Sequence, residues 1–111
     1  MSKPLLSRVR RVGNILFLSG VIGRGDDKEA RFRNTFERIR DTLEENGSSL
    51  EYVVNATVYL EDLNDRLTLL NPLWREFFPE NPPTRTCVQA GLLGREIEIT
   101  AVAEIPRHMP S

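Results

Sequence analysis

Pro82-Pro83-Thr84-Arg85-Thr86-Cys87-Val88-Gln89-Ala90, answered by Glu96-Ile97-Glu98-Ile99-Thr100-Ala101-Val102-Ala103, brings an arginine, the one cysteine and two glutamates into a small region of the chain. Both segments are strand-like, and Leu92-Leu93-Gly94-Arg95 reads as the turn between them, so the pair is expected to form a β-hairpin. Successive side chains on a strand point to opposite faces. Arg85, Cys87 and Gln89 therefore share one face. On the answering strand Ile97, Ile99, Ala101 and Ala103 form the apolar, core-facing side, and Glu96, Glu98, Thr100 and Val102 the other. A turn centred near Leu93-Gly94 sets Gln89 opposite Glu98 and leaves Arg85 roughly 13 Å further along the strand. That spacing has room for a small ligand between Arg85 and Glu98, both expected to leave the helix-packed face.

Working outward, residues 6–12 read as a first strand and Gly13-Asn14 as a turn whose residues tolerate positive φ. Ile15-Leu16-Phe17-Leu18-Ser19 is a near-continuous apolar strand, ended or bulged by Gly20. Asp26 or Asp27 is placed to cap a helix over 28–46. Phe32, Phe36, Ile39 and Leu43 form its apolar stripe, and Asn46-Gly47 its stop. Ser48 to Glu51 reads as a short capped turn. In the strand from Tyr52 to Leu60, alternation puts Val54, Ala56, Val58 and Leu60 on the core face and Val53, Asn55, Thr57 and Tyr59 on the other. A second helix starts at Asp62 or Asn64, with Leu67, Leu70, Trp74 and Phe77 as its stripe. Pro72 must kink it or restart it with Asn71 as cap. Trp74 and Phe77 read as core. The order is ββαβαββ: an α+β two-layer sandwich with two helices on one face of a sheet of about five strands. The other sheet face is left bare, and oligomerisation is the simplest cover for it.

The totals set limits. A chain of 111 residues with 40% apolar and 28% charged residues suits one domain, residues 1–111, with its own core. A net charge of -1 argues against a nucleic-acid partner. Arg8, Arg10 and Arg11 read as a solvated, edge-protecting face. One cysteine allows no internal disulfide and no cysteine-based zinc site. No apolar run has the length of a membrane span and no signal-peptide pattern opens the chain, so a cytoplasmic protein without membrane partners is expected. The only histidine, His108, reads as a surface residue of the tail.

Arginine's planar fork suits a carboxylate, and a glutamate can position water. Residue types alone favour a structural ion pair over a site. Cys87 alone reads as a small core residue, with no histidine to activate it.

Order and spacing add more. Val12-Gly13-Asn14-Ile15-Leu16-Phe17-Leu18-Ser19-Gly20, Val53 through Asp65, Asn71 with Phe77-Phe78, Pro83 through Val88, and Ile97 through Ala103 together resemble the RidA (YjgF-like) family over nearly the whole chain. The resemblance implies a chorismate-mutase-like fold, a homotrimer with clefts between subunits, no metal or organic cofactor, and hydrolysis of 2-imino acids or their enamine tautomers to 2-keto acids and ammonia. Arg85 then matches the arginine that grips the substrate carboxylate and Glu98 the glutamate that holds the hydrolytic water. Cys87 matches a residue lining the cleft. Ser19 and Gly20 match the strand end that contacts the ligand, and Asn71 a recurrent asparagine of structural role.

Three positions depart from the family pattern: Leu6 stands for an expected tyrosine, Val21 for a glutamine, and the turn at 93–96 is shorter. Two other readings stand beside the hydrolase. One is a non-catalytic or regulatory trimer binding small carboxylates in the same clefts. The other is a ribonuclease or translation inhibitor, disfavoured by the charge balance.

Overall fold

The computed structural model describes residues 3–107; His108 lies outside them. Seven main elements follow in order: β1 (Val9–Val12), β2 (Ile15–Val21), α1 (Lys28–Glu45), β3 (Val53–Leu60), α2 (Asn71–Phe77), β4 (Thr84–Gln89) and β5 (Ile97–Glu104). A 3₁₀ turn at Leu50–Tyr52 precedes β3, and a π-turn at Arg66–Leu70 runs directly into α2. The expected ββαβαββ order and α+β class hold.

The expected hairpin does not form. The sheet order is β1-β2-β5-β3-β4. β4 pairs parallel with β3, and β5 lies antiparallel between β2 and β3. Glu98 accordingly faces Tyr59, not Gln89, which is paired with Leu60. Composition explains the exchange. Ile97, Ile99, Ala101 and Ala103 are all buried, as a central strand requires. β4 follows two prolines and carries Thr84, Thr86, Val88 and Gln89 exposed, as suits an edge. Parallel neighbours need a long crossover, which residues 61–83 supply.

The links around these strands have identifiable causes. Gly13, at φ +60°, makes the two-residue β1–β2 turn, with Val12 opposite Ile15. β1 starts at Val9, three residues later than expected. Asp27, not Asp26, caps α1, its Oδ1 accepting from the Ala30 amide at 2.7 Å. At the other end of α1 Gly47 has φ +82°, and the Ser48 amide donates to the Leu43 carbonyl at 2.9 Å. Ser49 makes no side-chain cap; Ser48 Oγ instead donates to the Glu104 carbonyl at 2.7 Å.

Three departures are local. A bulge between Val53 and Asn55 buries Val53 and exposes Val54, inverting the alternation expected there. In the second helical segment the π-turn precedes Pro72, which sits in the first turn of α2 where no amide is missed. Leu67 is turned outward by that arrangement and Leu73 takes its place in the core. β5 begins at Ile97, because Glu96 has φ +69° and leaves the strand.

Both helices cover one face of the sheet. Phe32, Phe36, Ile39 and Leu43 of α1 are all buried. Phe36 is the hub: its ring stacks on Phe77 at 5.1 Å and meets Trp74 edge-on at 5.9 Å and Phe78 at 6.4 Å. Aromatic pairs at these separations add to their area burial. The other sheet face carries Phe17, Val54 and Val88 at 48, 47 and 39% exposure, apolar surface that the chain itself does not cover.

Because Asp27 alone bonds the first turn, Asp27→Ala is expected to lower stability by about 1 kcal/mol in urea titration, with Asp26→Ala unchanged within error.

Candidate active site

The parallel β3–β4 register decides where each candidate residue goes. Arg85 shares a row with Ala56 and Ala101, and Cys87 one with Val58 and Ile99. Those neighbours are buried on the helix-covered face, so Arg85 and Cys87 face the helices. Glu98 falls in the row of Tyr59 and Val88, and Thr100 in that of Thr57 and Thr86, on the bare face. Arg85 and Glu98 therefore lie on opposite faces of one sheet with β3 between them. The expectation that both leave the helix-packed face is wrong for Arg85. Strand pairing puts their backbones on the order of 14 Å apart.

On the helix side, Arg85 Nη1 donates to Asn71 Oδ1 at 2.9 Å. Its guanidinium lies 5.0 Å from the centroid of the Trp74 ring. Cation–π contact and a fixed acceptor hold the planar fork in one orientation. Its other donors are unspent among the described contacts, beside an open cavity of about 310 Å³ lined by Asn71, Trp74, Arg75 and Arg85. Asn71 spends its side chain here rather than on capping α2. The π-turn just upstream sets the angle at which Asn71 and Trp74 reach Arg85, a use of such turns that recurs at sites. Trp74 was legible only as core. It is that, but one ring face also carries the arginine. Burial pushes the Cys87 thiol up, against the pull of the Arg85 and Arg66 charges. That shift disfavours the thiolate, which is the nucleophilic form.

On the bare side, Ser19 and Gly20 form a bulge in β2, since Leu18 faces Ala101 but Val21 faces Ile99. The bulge gives Gly20 its role. A Cβ there would sit 2.2 Å from Glu98 Oε2 and 2.7 Å from its carboxyl carbon. The glycine thus lets the Glu98 carboxylate lie against the β2 backbone. Ser19 Oγ is not free for a ligand, because it donates to the Ser7 carbonyl at 2.6 Å and ties the N-terminal segment to the bulge. Leu6 is well exposed beside it. Val21 is carried by the bulge back to the helix side, opposite Ile99.

The loop joining β4 to β5 is held by Glu61. Its carboxylate accepts from the Gly94 amide at 2.9 Å and the Leu92 amide at 3.0 Å. These backbone bonds hold the Glu61 carboxyl below its ordinary range, Gly94 contributing most. They also stabilise Leu93 and Gly94 at φ +57° and +85°. Among the described residues no cluster of three metal-ligating side chains is found, and no helix is long and apolar enough to cross a membrane.

The fold and these placements define the class: a small α+β sandwich with an arginine held by Asn71 and Trp74 at one sheet edge and a glutamate seated on a glycine bulge at the other face. Residues 3–105 match the family described as Endoribonuclease L-PSP, and the chain belongs to that family, the YjgF/RidA group. A RutC family protein of Pyrococcus abyssi is 38% identical, covering 91% of this chain and 88% of that one. The 3-aminoacrylate deaminase RutC of Acinetobacter baylyi is 32% identical, covering 86% of this chain and 82% of its own. Among solved structures, RidA from an Antarctic Psychrobacter is 29% identical with a TM-score of 0.83, over 95% of this chain and 92% of that one. A YjgF family member from Neisseria meningitidis superposes with a TM-score of 0.87 at 26% identity, over 96% and 92%.

Two measurements check the geometry. Glu61→Gln is expected to lose stability at pH 7. A depressed folded-state pKa stabilises above the unfolded value and is lost as pH falls through the folded one. The gap between variant and wild type should therefore close on acidification below the ordinary carboxylate range, as thermal melts across pH would record. Gly20→Ala should fold, since the clash falls on the movable end of Glu98, but it should displace that carboxylate. A cut in any Glu98-dependent turnover of about ten- to a hundredfold is expected, with the melting temperature little changed.

Proposed function

We propose that the protein hydrolyses reactive 2-imino or enamino acids to 2-keto acids and ammonia in clefts between copies of the chain. The observation that carries this reading is the placement of Arg85 and Glu98 on opposite sheet faces. A substrate of a few carbon atoms cannot span a sheet, so the two residues act together only if one copy supplies Arg85 and a neighbour supplies Glu98. A closed ring of three such heterologous contacts, each burying the bare face with Phe17, Val54 and Val88, gives three equivalent clefts. The chemical class is supported by the likeness to a protein named 3-aminoacrylate deaminase, an aminoacrylate being itself an enamino acid.

In this reading the Arg85 fork takes the substrate carboxylate, with Asn71 and Trp74 keeping it aimed. Cys87 lines the carboxylate end as a neutral wall. An enamine first takes a proton at carbon and becomes the protonated imine, the form that reacts. The neighbour's Glu98 holds water by one carboxylate oxygen and accepts its proton as the oxygen attacks C2. The C2–N double bond becomes single and yields a carbinolamine. The nitrogen then takes that proton from Glu98 and leaves as ammonia, while the hydroxyl returns its proton to the Glu98 carboxylate and its oxygen forms the keto group. The imine is already electrophilic, so orientation and one base are sufficient. No nucleophilic side chain, metal or organic cofactor enters the scheme.

The test generates 2-iminobutanoate or 2-iminopropanoate in situ and follows its decay. Wild type should accelerate decay over buffer. Arg85→Ala should lose about ten- to a hundredfold in kcat/KM, the worth of a charge-assisted contact. Sedimentation should give three chains per particle. Binding of keto acids without any acceleration would instead make the protein a carboxylate-binding relative, and a monomer would remove the shared cleft.

A further inference from the structure

A second cavity, of about 340 Å³, is lined by Ile22, Gly23, Gly94 and four arginines, Arg24, Arg31, Arg38 and Arg95. The arginines come from three separate parts of the chain: the loop after β2, two turns of α1, and the turn before β5. None of them belongs to either half of the deaminase site. We infer that this cavity is a binding site for the phosphoryl group of a small phosphorylated molecule.

The charge count carries the inference. Four guanidinium groups meet in one cavity of a chain whose net charge is only -1, so overall basicity does not account for them. Arg31 is neutralised, its Nε donating to Glu96 Oε1 at 2.6 Å and its Nη1 to the Gly25 carbonyl at 3.1 Å, with Asp27 nearby. Arg38 donates to the Ile22 carbonyl. Arg24, Arg38 and Arg95 have no carboxylate partner among the described residues. Convergent like charges repel unless an anion lies between them, and three unpaired guanidinium groups match a group with at least two negative charges. No acidic residue lines the cavity. A multidentate, doubly charged oxyanion is what arginine forks hold best.

The backbone holds this convergence without using the tips of Arg24 and Arg95. The Arg24 amide donates to Asn34 Oδ1 at 2.8 Å, pinning the loop to α1. Gly23 lies so close to α1 that a Cβ would fall 2.1 Å from the Arg31 carbonyl oxygen and 2.5 Å from the Thr35 amide nitrogen. Across the cavity, Glu61 fixes the turn that presents Arg95. The side chains of Arg24 and Arg95 make no hydrogen bond of their own among the described contacts. They are free to close on a ligand, and their loss leaves the fold intact.

The experiment titrates inorganic pyrophosphate, at low ionic strength, into the full chain, Arg24→Gln/Arg95→Gln and Arg85→Ala by isothermal calorimetry. Wild type should bind with a Kd below about 1 mM. The double variant should bind at least about tenfold more weakly, two charge-assisted contacts being lost, with an unchanged melting temperature. Arg85→Ala should bind like wild type. Four results would overturn the proposal: no binding by wild type, equal binding by the double variant, loss of binding in Arg85→Ala, which would put the anion at the other arginine, or tight binding of a short RNA with none of pyrophosphate. The deaminase assay plays no part in these readings, so the two proposals fail separately.

Discussion

β4 pairs parallel with β3 at the end of the sheet, away from β5. This pairing makes β4 an edge strand and gives Arg85 a place on the helix-covered face where the covering layer is thin. A guanidinium in the middle of that face would be buried among Ala56, Ala101 and Leu18 at a desolvation cost no single partner offsets. At the edge it keeps contact with water, lies on the Trp74 ring and donates to Asn71. The same pairing leaves the interior to β5, whose alternation of buried Ile97, Ile99, Ala101 and Ala103 with outward Glu98, Thr100 and Val102 suits one covered and one bare face. A hairpin would have put Arg85 on the strand directly beside β5, in the interior of the sheet and away from its edge.

Much of this was legible from residue types. The α1 stripe and the Gly13-Asn14 turn each rest on local chemistry, and local chemistry prevailed. Strand order does not. Adjacent strands joined by a short turn-like segment invite a hairpin reading, and nothing local distinguishes that segment from a loop wrapping the end of β3. Glu61 held the one available signal: an acidic residue just past a strand, free to cap the amides of a distant turn. The Val53–Asn55 bulge was equally hidden, because two adjacent valines fit either face and only the paired strand's register chooses.

For the site, legibility was divided. Arg85, Cys87 and Glu98 were named by residue type, alternation and family resemblance, and their chemistry is consistent with where they lie. Their relation to one another was misread because alternation assigns a face only within a strand, whereas comparison between strands needs the register. Trp74 was missed as a site residue for a different reason. An aromatic at a stripe position is core by every periodic test, and a ring with one face packed and the other carrying a cation leaves no trace in spacing. Ser19 moved the other way: its hydroxyl is committed to the Ser7 carbonyl, so what the Ser-Gly pair gives the site is backbone shape.

Gly20 and Gly23, three residues apart, show how one short segment can serve two different ends. Each lies where a Cβ would collide, but the collisions differ in kind. At Gly20 the obstacle is a side chain, Glu98, and the missing Cβ defines where a carboxylate sits. At Gly23 the obstacle is the α1 backbone, and the missing Cβ defines how closely a loop lies on a helix. The first glycine sets the position of a carboxylate; the second shapes the fold and cannot be changed without moving the loop. Between them Val21 and Ile22 cross from the bare face to the arginine-lined cavity. The β2 bulge is therefore the joint that sets the position of the Glu98 carboxylate on one side and of the Arg24 loop on the other.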